Sequence, residues 1–221
     1  MMRIERKFLI RSLTKQWVEL QIKIHPAGFS EIFNKRQVNN IYFDTPGFNH
    51  YSDHVNGETS REKIRIRWYG NTFGEIKEPF LEHKIKRGNI TRKYSTRMKG
   101  FFLTSGLLRE EILSILPVQE PGFPLHIIAN LFPSLLNSYT RKYFLSADRN
   151  FRLTLDSGIK SYPVRYGDNL FNAPAHHHGL NIVEIKYKPG KDDLAREVTS
   201  GFPFRVTKCS KYLKGVERVL F

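Results

Sequence analysis

The chain has 221 residues, with 36 Lys and Arg against 21 Asp and Glu, which gives a formal net charge of +15 at pH 7. Its 40% hydrophobic content supports a globular core, and its one cysteine excludes a disulfide scaffold and a cysteine-rich zinc site. The start, MMRIERKF, lacks the apolar stretch of a secretory signal, and no stretch predicts a membrane span. We therefore expect a basic, cytoplasmic protein that binds an anion, with residues 1–221 forming a single domain.

The positive charge is concentrated in particular segments. Residues 80–100 carry seven Lys or Arg against one acid, Glu82, whereas residues 101–138 carry one, Arg109, against three acids. Selected segments, and not the whole surface, therefore supply the predicted anion site.

Several segments alternate apolar and charged residues with a period of two, which predicts half-buried strands. Ile4 and Phe8 share one face of the first segment, and Ile64 and Ile66 share one face of the second. The predicted strands are residues 4–10, 62–70, 80–88, 151–156 and 181–190. Their other faces carry one or two carboxylates among several cations.

Helical patterns lie between these strands. Thr14 is expected to cap a helix that ends before His25 and Pro26, and residues 208–220 predict a C-terminal helix. Residues 103–116 read as an amphipathic helix and residues 124–137 as apolar helical turns. Trp17 and the pair 101–102 are expected in the core. Antiparallel strands with added helices indicate an α+β fold.

The charged strand faces have two interpretations. In an open sheet they are solvated stripes of little consequence. In a closed barrel they converge inside, where crowded cations require a polyanion and the carboxylates can hold a divalent metal. Spacing alone does not separate these alternatives.

A set of motifs, in order along nearly the whole chain, resembles a known family. The motifs are IERKFLI, NNIYFDT, KIRIRWYG, LEHKIKRG, SYTRKYFL, FRLTLD, VEIKYK and KCSKYLKG. Together they resemble the catalytic domain of the vacuolar transporter chaperone (VTC) polyphosphate polymerases, within the triphosphate tunnel metalloenzyme or CYTH-like superfamily. Each motif alone is common, whereas the ordered set is more specific.

The resemblance implies an eight-stranded antiparallel tunnel barrel with helices packed outside and a C-terminal helix. It implies transfer of the γ-phosphate of ATP to a growing inorganic polyphosphate chain, with Mn²⁺ or Mg²⁺. The implied catalytic cations are Lys7, Arg65, Arg67, Lys84, Arg141 and Arg152. The implied chain-binding residues are Tyr139, Lys186, Lys208, Ser210, Lys211 and Lys93. Glu184 matches the metal-holding glutamate, with Glu5 and Glu82 as weaker matches.

Two other functions stay open at this point. A tunnel triphosphatase would hydrolyse inorganic or nucleoside triphosphate, and such hydrolases carry more tunnel acids than these faces do. A non-enzymatic polyanion or nucleic-acid binder could use the basic, aromatic segments, but no helix-turn-helix, zinc-finger or RRM signature accompanies them. The resemblance also allows a separate membrane partner, which this sequence does not encode.

Overall fold

The computed structural model describes residues 3–88, 90–104, 130–164 and 174–220, together with residues 111, 114, 116 and 128. The described helices are α1 (Lys15–Lys23), α2 (Asn49–Asn56), α3 (Asp192–Ser200) and α4 (Lys211–Val219). The described strands are β1 (Ile4–Ile10), β2 (Ser30–Asp44), β3 (Ser60–Tyr69), β4 (Gly74–Ile76), β5 (Phe80–Arg87), β6 (Ile90–Arg97), β7 (Phe101–Leu103), β8 (Phe132–Leu145), β9 (Arg152–Pro163), β10 (Ala175–His176) and β11 (Asn181–Tyr187).

Eight strands form one hydrogen-bonded sheet in the order β1-β11-β9-β8-β2-β3-β5-β6, with β10 paired to β9. A separate small sheet pairs β4 with β7. The registers of β1 with β11, β2 with β3 and β3 with β5 are antiparallel. The predicted α+β fold, with an eight-stranded antiparallel sheet and a C-terminal helix, is confirmed.

The chain divides into two compact units. The first unit comprises Met1–Arg36, Tyr139–Ile159 and His176–Ser210. Its core joins the apolar face of β1, β9 and β11 to helices α1 and α3. The buried residues include Phe8, Val18, Ile22, Leu153, Leu155, Val183, Ile185 and Ala195. This arrangement places the charged residues of the three strands on the opposite face of the sheet.

The second unit comprises Gln37–Ser138, Lys160–Ala175 and Lys211–Phe221. Its larger core is formed in part by one face of β2, β3 and β5, which contributes Ile41, Ile64, Ile66, Trp68 and Leu81. A smaller cluster packs Tyr212 and Val216 of α4 against Tyr42 and Leu135. The single-domain prediction stays a prediction.

The predicted cap of α1 is present, since Thr14 Oγ1 accepts a hydrogen bond from the Trp17 amide at 3.2 Å. Three other sequence predictions were wrong in part. Residues 132–137 belong to strand β8 and not to a helix, and Leu103 ends strand β7. Trp17 is 37% exposed and Phe102 is 67% exposed, so neither is a core residue. Most of residues 104–131 lie outside the described part of the chain.

Candidate active site

In the first unit, the strand register brings five predicted residues together on the polar sheet face. Lys7 of β1 lies opposite Glu184 of β11, and Glu5 lies opposite Lys186. On the other side of β11, Lys186 lies opposite Arg152 of β9. Residues directly opposite in an antiparallel pair have neighbouring side chains, so the register alone clusters these charges.

The two glutamates of this face share the same two lysines. Glu184 binds Lys7 Nζ at 3.1 Å and Lys186 Nζ at 2.7 Å. Glu5 lies 3.5 Å from Lys7 Nζ and 3.8 Å from Lys186 Nζ. Burial opposes charge on Lys7, yet Glu184 and Glu5 outweigh it and raise the pKa of this ammonium. Lys7 is therefore a cation across the whole physiological range.

Arg141 is held rigidly by a buried carboxylate that the motifs did not assign. Asp156 accepts from Arg141 Nε at 2.6 Å and from Nη2 at 2.7 Å, and its side chain is fully buried. The guanidinium carbon also lies 5.4 Å from the centre of the Tyr139 ring. Burial opposes the charge, but Asp156 raises the pKa of Arg141 well above its usual value. Tyr139 and Asp156 therefore fix the orientation of one predicted catalytic cation.

The remaining predicted residues of this unit lie at its surface or near β1. Arg152 and Lys208 are exposed, and Ser210 is half-buried. The Thr207 amide donates to the Lys7 carbonyl at 2.8 Å, which fixes the segment just before Lys208 along β1.

In the second unit, Glu82 of β5 is the centre of a cluster of three cations. Arg65 donates to Glu82 Oε2 from Nε at 2.8 Å and from Nη2 at 2.6 Å. Lys93 Nζ binds Glu82 Oε1 at 2.6 Å, and Arg67 Nη1 lies 3.6 Å from Oε2. Burial alone would raise the pKa of Glu82, but these three cations outweigh it and lower the pKa to about 2.

Strand β2 holds these arginines in place from the other side. Tyr42 Oη accepts from Arg65 Nη1 at 3.1 Å, and Asn40 Oδ1 accepts from Arg67 Nε at 3.0 Å. Because Asn40 must offer its oxygen to Arg67, its Nδ2 donates to Asn137 Oδ1 at 2.9 Å. Asn137 of β8, Asn40 of β2 and Arg67 of β3 thus form a chain of hydrogen bonds across three neighbouring strands, and this chain orients the Arg67 guanidinium.

Two further predicted residues lie in the second unit. Lys84 of β5 lies opposite Lys63 of β3 and Lys93 of β6. Lys211 begins helix α4, where the next residue, Tyr212, donates a short hydrogen bond to the buried carboxylate of Asp44. This bond fixes the start of α4 against the end of β2.

Sequence reasoning missed Asn40, Tyr42, Asn137 and Asp156 as partners of the predicted cations. A signal was present, because the motif NNIYFDT places Asn40, Tyr42 and Asp44 at alternate positions of one strand. The last seven residues of β2 are all buried, so polar residues at every second position there indicate a buried polar network.

The donor set suits a hard divalent cation such as Mg²⁺ or Mn²⁺. Glu184 and Glu5 offer carboxylate oxygens, and Thr154, opposite Glu184 in register, has a buried Oγ1 with no hydrogen-bond partner in the described part of the chain. Among the described residues no group of three or more His, Cys, Asp or Glu side chains could enclose an ion. An ion here would therefore take other ligands from water and substrate phosphates, as Mg²⁺ commonly does. Glu82 is saturated by three cations and fits this role less well.

A family model described as the VTC domain matches residues 2–220. The chain belongs to the VTC family. The resemblance inferred from the motifs is thus confirmed over nearly the full sequence. No curated protein matched this chain.

Solved structures show the same fold at low sequence identity. A candidate adenylyl cyclase from Hippeastrum, described as having a dominant triphosphatase activity, is 12% identical with a TM-score of 0.55, covering 99% of this chain and 98% of that one. A candidate adenylate cyclase from Bacillus halodurans is 17% identical with a TM-score of 0.53, covering 95% and 94%. A protein from Pyrococcus horikoshii is 12% identical with a TM-score of 0.52, covering 97% and 99%. At this identity the likeness shows the fold alone. In the described part of this VTC protein, no helix is long and apolar enough to cross a membrane.

Proposed function

We propose that this VTC-family protein is a polyphosphate polymerase that transfers the γ-phosphate of ATP to a growing inorganic polyphosphate chain. The observation that carries the proposal is the excess of cations on the polar strand faces. Strands β3 and β5, which are described throughout, place six cations and one carboxylate on one face of the second unit. The residues are Arg61, Lys63, Arg65, Arg67, Lys84, Lys86 and Glu82.

A face so rich in cations suits a long, dense polyanion. Cations on neighbouring strands repel one another unless an anion lies among them. A hydrolase needs to activate water, and for this it gains from more carboxylates around its metal. A polymerase needs no general base, because the terminal phosphate of the chain is already an anionic nucleophile. The composition of the face therefore favours transfer to phosphate over transfer to water.

In the reaction, a terminal phosphate oxygen of the chain attacks the γ-phosphorus of ATP. The bond from that phosphorus to the β-phosphate bridging oxygen breaks, and ADP leaves. Arg65, Arg67 and Lys84 bind phosphate oxygens in the second unit. Lys7, Arg141 and Arg152 do so in the first unit. Further contacts to the chain come from Tyr139, Lys186, Lys208 and Ser210 of the first unit and from Lys93 and Lys211 of the second. Rigid guanidinium groups suit this role because catalysis of phosphoryl transfer rests on alignment and neutralisation of charge.

Glu184, with Glu5 and Thr154 beside it, would hold Mn²⁺ or Mg²⁺. When bound, such an ion neutralises charge on phosphate oxygens and orients them. When Glu184 holds the ion, Lys7 and Lys186, which pair with Glu184 in this structure, would become available to bind phosphates. We place the enzyme in the cytoplasm, where ATP is supplied.

Hydrolysis of a triphosphate is the second candidate function, supported by the fold shared with the Hippeastrum protein described as a triphosphatase. The deciding experiment follows γ-labelled ATP with Mn²⁺ and separates label in polymer from label in free phosphate. Label in a chain that an exopolyphosphatase degrades supports the polymerase. Label in free phosphate alone, over a range of metals and primers, overturns it in favour of the hydrolase.

The matched variants for this experiment are Glu184→Gln and Glu78→Gln. Glu184 is 9% exposed and binds two lysines, whereas Glu78 is 67% exposed and pairs with Arg97 at the surface. Both changes remove one negative charge. We expect Glu184→Gln to abolish turnover while the protein stays folded, and Glu78→Gln to leave turnover unchanged. Full activity in Glu184→Gln would refute the metal assignment.

A further inference from the structure

The polar face of the first unit carries an aromatic cluster to which no role has yet been given. On strand β8, Tyr139, Arg141 and Tyr143 occupy alternate positions and therefore project from the same side of the strand. The next residue, Phe144, is fully buried in the core of this unit. Tyr143 consequently lies on the face opposite the core, together with Arg141.

Two residues of strand β2 complete the cluster. The Phe33 ring meets the Tyr143 ring edge to face, with 5.9 Å between the ring centres. The Arg36 guanidinium carbon lies 5.5 Å from the centre of the Phe33 ring and 5.7 Å from the centre of the Tyr143 ring. Phe33, Arg36 and Tyr143 all belong to the first unit.

This cluster is open to solvent. Phe33 is 52% exposed and Arg36 is also exposed, whereas Tyr143 is half-buried. An exposed aromatic ring gains free energy when a flat apolar surface covers it, and a guanidinium both stacks on aromatic systems and binds anions. Proteins hold the bases of single-stranded nucleic acids in this way, on aromatic side chains with arginine nearby. The cluster therefore has the chemistry that binds a nucleobase beside a phosphate.

We propose that Phe33, Arg36 and Tyr143 form a platform on which the nucleobase of the donor nucleotide stacks. The step from Arg141 to Tyr143 along β8 is about 7 Å. A ribose spans a comparable gap between the α-phosphate and the base, so a nucleotide with its α-phosphate at Arg141 would bring its base to the platform. This inference rests on the proposed function, in which Arg141 binds phosphates of ATP, and deepens it by assigning the residues that distinguish a nucleotide from inorganic triphosphate.

Stacking supplies affinity for a base without selecting one base strictly. Every base has an aromatic face, so each of the four can stack, and the larger purines gain more contact than the pyrimidines. We therefore expect ATP and GTP to bind with similar affinity, and both to bind more tightly than CTP and UTP at equal triphosphate charge.

The test measures, by calorimetric titration, the affinities of ATP and of inorganic tripolyphosphate for Phe33→Ala. The two ligands have three phosphates each, and only ATP has a base. We expect ATP affinity to fall about tenfold, within the range that loss of one stacking contact produces, and tripolyphosphate affinity to stay within about twofold. Phe33→Trp retains an aromatic face and should keep ATP affinity within about twofold of the unmodified protein.

The matched control is Phe102→Ala, which removes the same ring from an exposed position of the second unit and should change neither affinity. Unchanged ATP affinity in Phe33→Ala would overturn the platform. An equal loss of ATP and tripolyphosphate affinity would also overturn it, because Phe33 would then support only the phosphate site. Binding is measured without turnover, so a protein that releases label only as free phosphate refutes the polymerase and leaves the platform standing, and the reverse also holds.

Discussion

Single residues show how the protein maintains closely spaced cations before a substrate arrives. Glu82 is buried, and its two oxygens bind Lys93 and Arg65, with Arg67 close by. In the same way, Asp156 binds Arg141, and Glu184 binds Lys7 and Lys186. These carboxylates act first as counter-ions, which explains why charged groups tolerate burial here.

Glu82 also gives a prediction about pH. Its folded-state pKa is lowered from 4.5 to about 2, so its contribution to stability is present above pH 4.5 and is lost as the pH falls through 2. A shift of this size corresponds to about 3 kcal/mol. We expect Glu82→Gln to lower the unfolding free energy near pH 7 by about that amount and to flatten its dependence on pH in the acid range.

Urea denaturation near pH 7 and near pH 3 measures both effects. The control is Glu78→Gln, since Glu78 and Arg97 are each about two-thirds exposed and such pairs contribute little. A Glu82→Gln protein with the full acid sensitivity of the unmodified chain would show that other groups account for it.

At the level of elements, the two faces of strand β2 have different roles. One face packs in the core, and the other contacts the candidate site. Asn40 binds Arg67 and Asn137, whereas its neighbour Asn39 donates to the Gly70 carbonyl at 3.0 Å and accepts from Thr72 at 3.0 Å. Both side chains are fully buried. The two asparagines therefore differ in their partners and not in their burial.

We expect Asn40→Ala and Asn39→Ala to destabilise the protein by similar amounts, about 1–3 kcal/mol each, because each leaves buried partners unpaired. Only Asn40→Ala should weaken tripolyphosphate binding, by about tenfold, because Arg67 loses its fixed orientation. Calorimetric titration gives the affinities, and urea denaturation gives the stabilities. If both variants bind tripolyphosphate equally well, Asn40 serves the fold alone.

The strands that alternate were predictable from sequence, and the others were not. The strands β1, β3, β5, β9 and β11 show alternation because one face packs and the other carries charge. In contrast, β8 is buried on both faces from Ser134 to Tyr139, and its sequence there does not alternate, so it reads equally well as helix. The same alternation marked the charged residues of these strands, such as Lys7, Arg65 and Glu184, whereas Arg141, Lys208 and Lys211 were assigned only from the family resemblance. The partners Asp156 and Asn137 were not visible in the sequence, since pairing depends on register between strands far apart in sequence.

On the scale of the whole molecule, the net charge of +15 disfavours the folded state through self-repulsion, and this cost is relieved when a polyanion binds. The charge is also concentrated, with cations in register on β3, β5 and β6. A ligand that binds only the folded protein stabilises it in proportion to the logarithm of its concentration over its dissociation constant. Thermal unfolding therefore reports which polyanion the face prefers.

We expect inorganic tripolyphosphate at about 100 times its dissociation constant to add about 2.7 kcal/mol, which raises the unfolding midpoint by about 5–10 °C. The rise should shrink strongly as sodium chloride increases from about 50 to about 200 mM, because the contacts are ionic. Sodium chloride matched in ionic strength to the ligand is the control and should give little rise. A single-stranded DNA oligonucleotide at equal phosphate concentration should give a smaller rise than long-chain polyphosphate, because inorganic polyphosphate has no sugars between its phosphates and therefore carries more charge per unit length. A larger rise with DNA would instead identify the face as a nucleic-acid surface, and a rise that matched salt reproduces would show that no specific phosphate site is present.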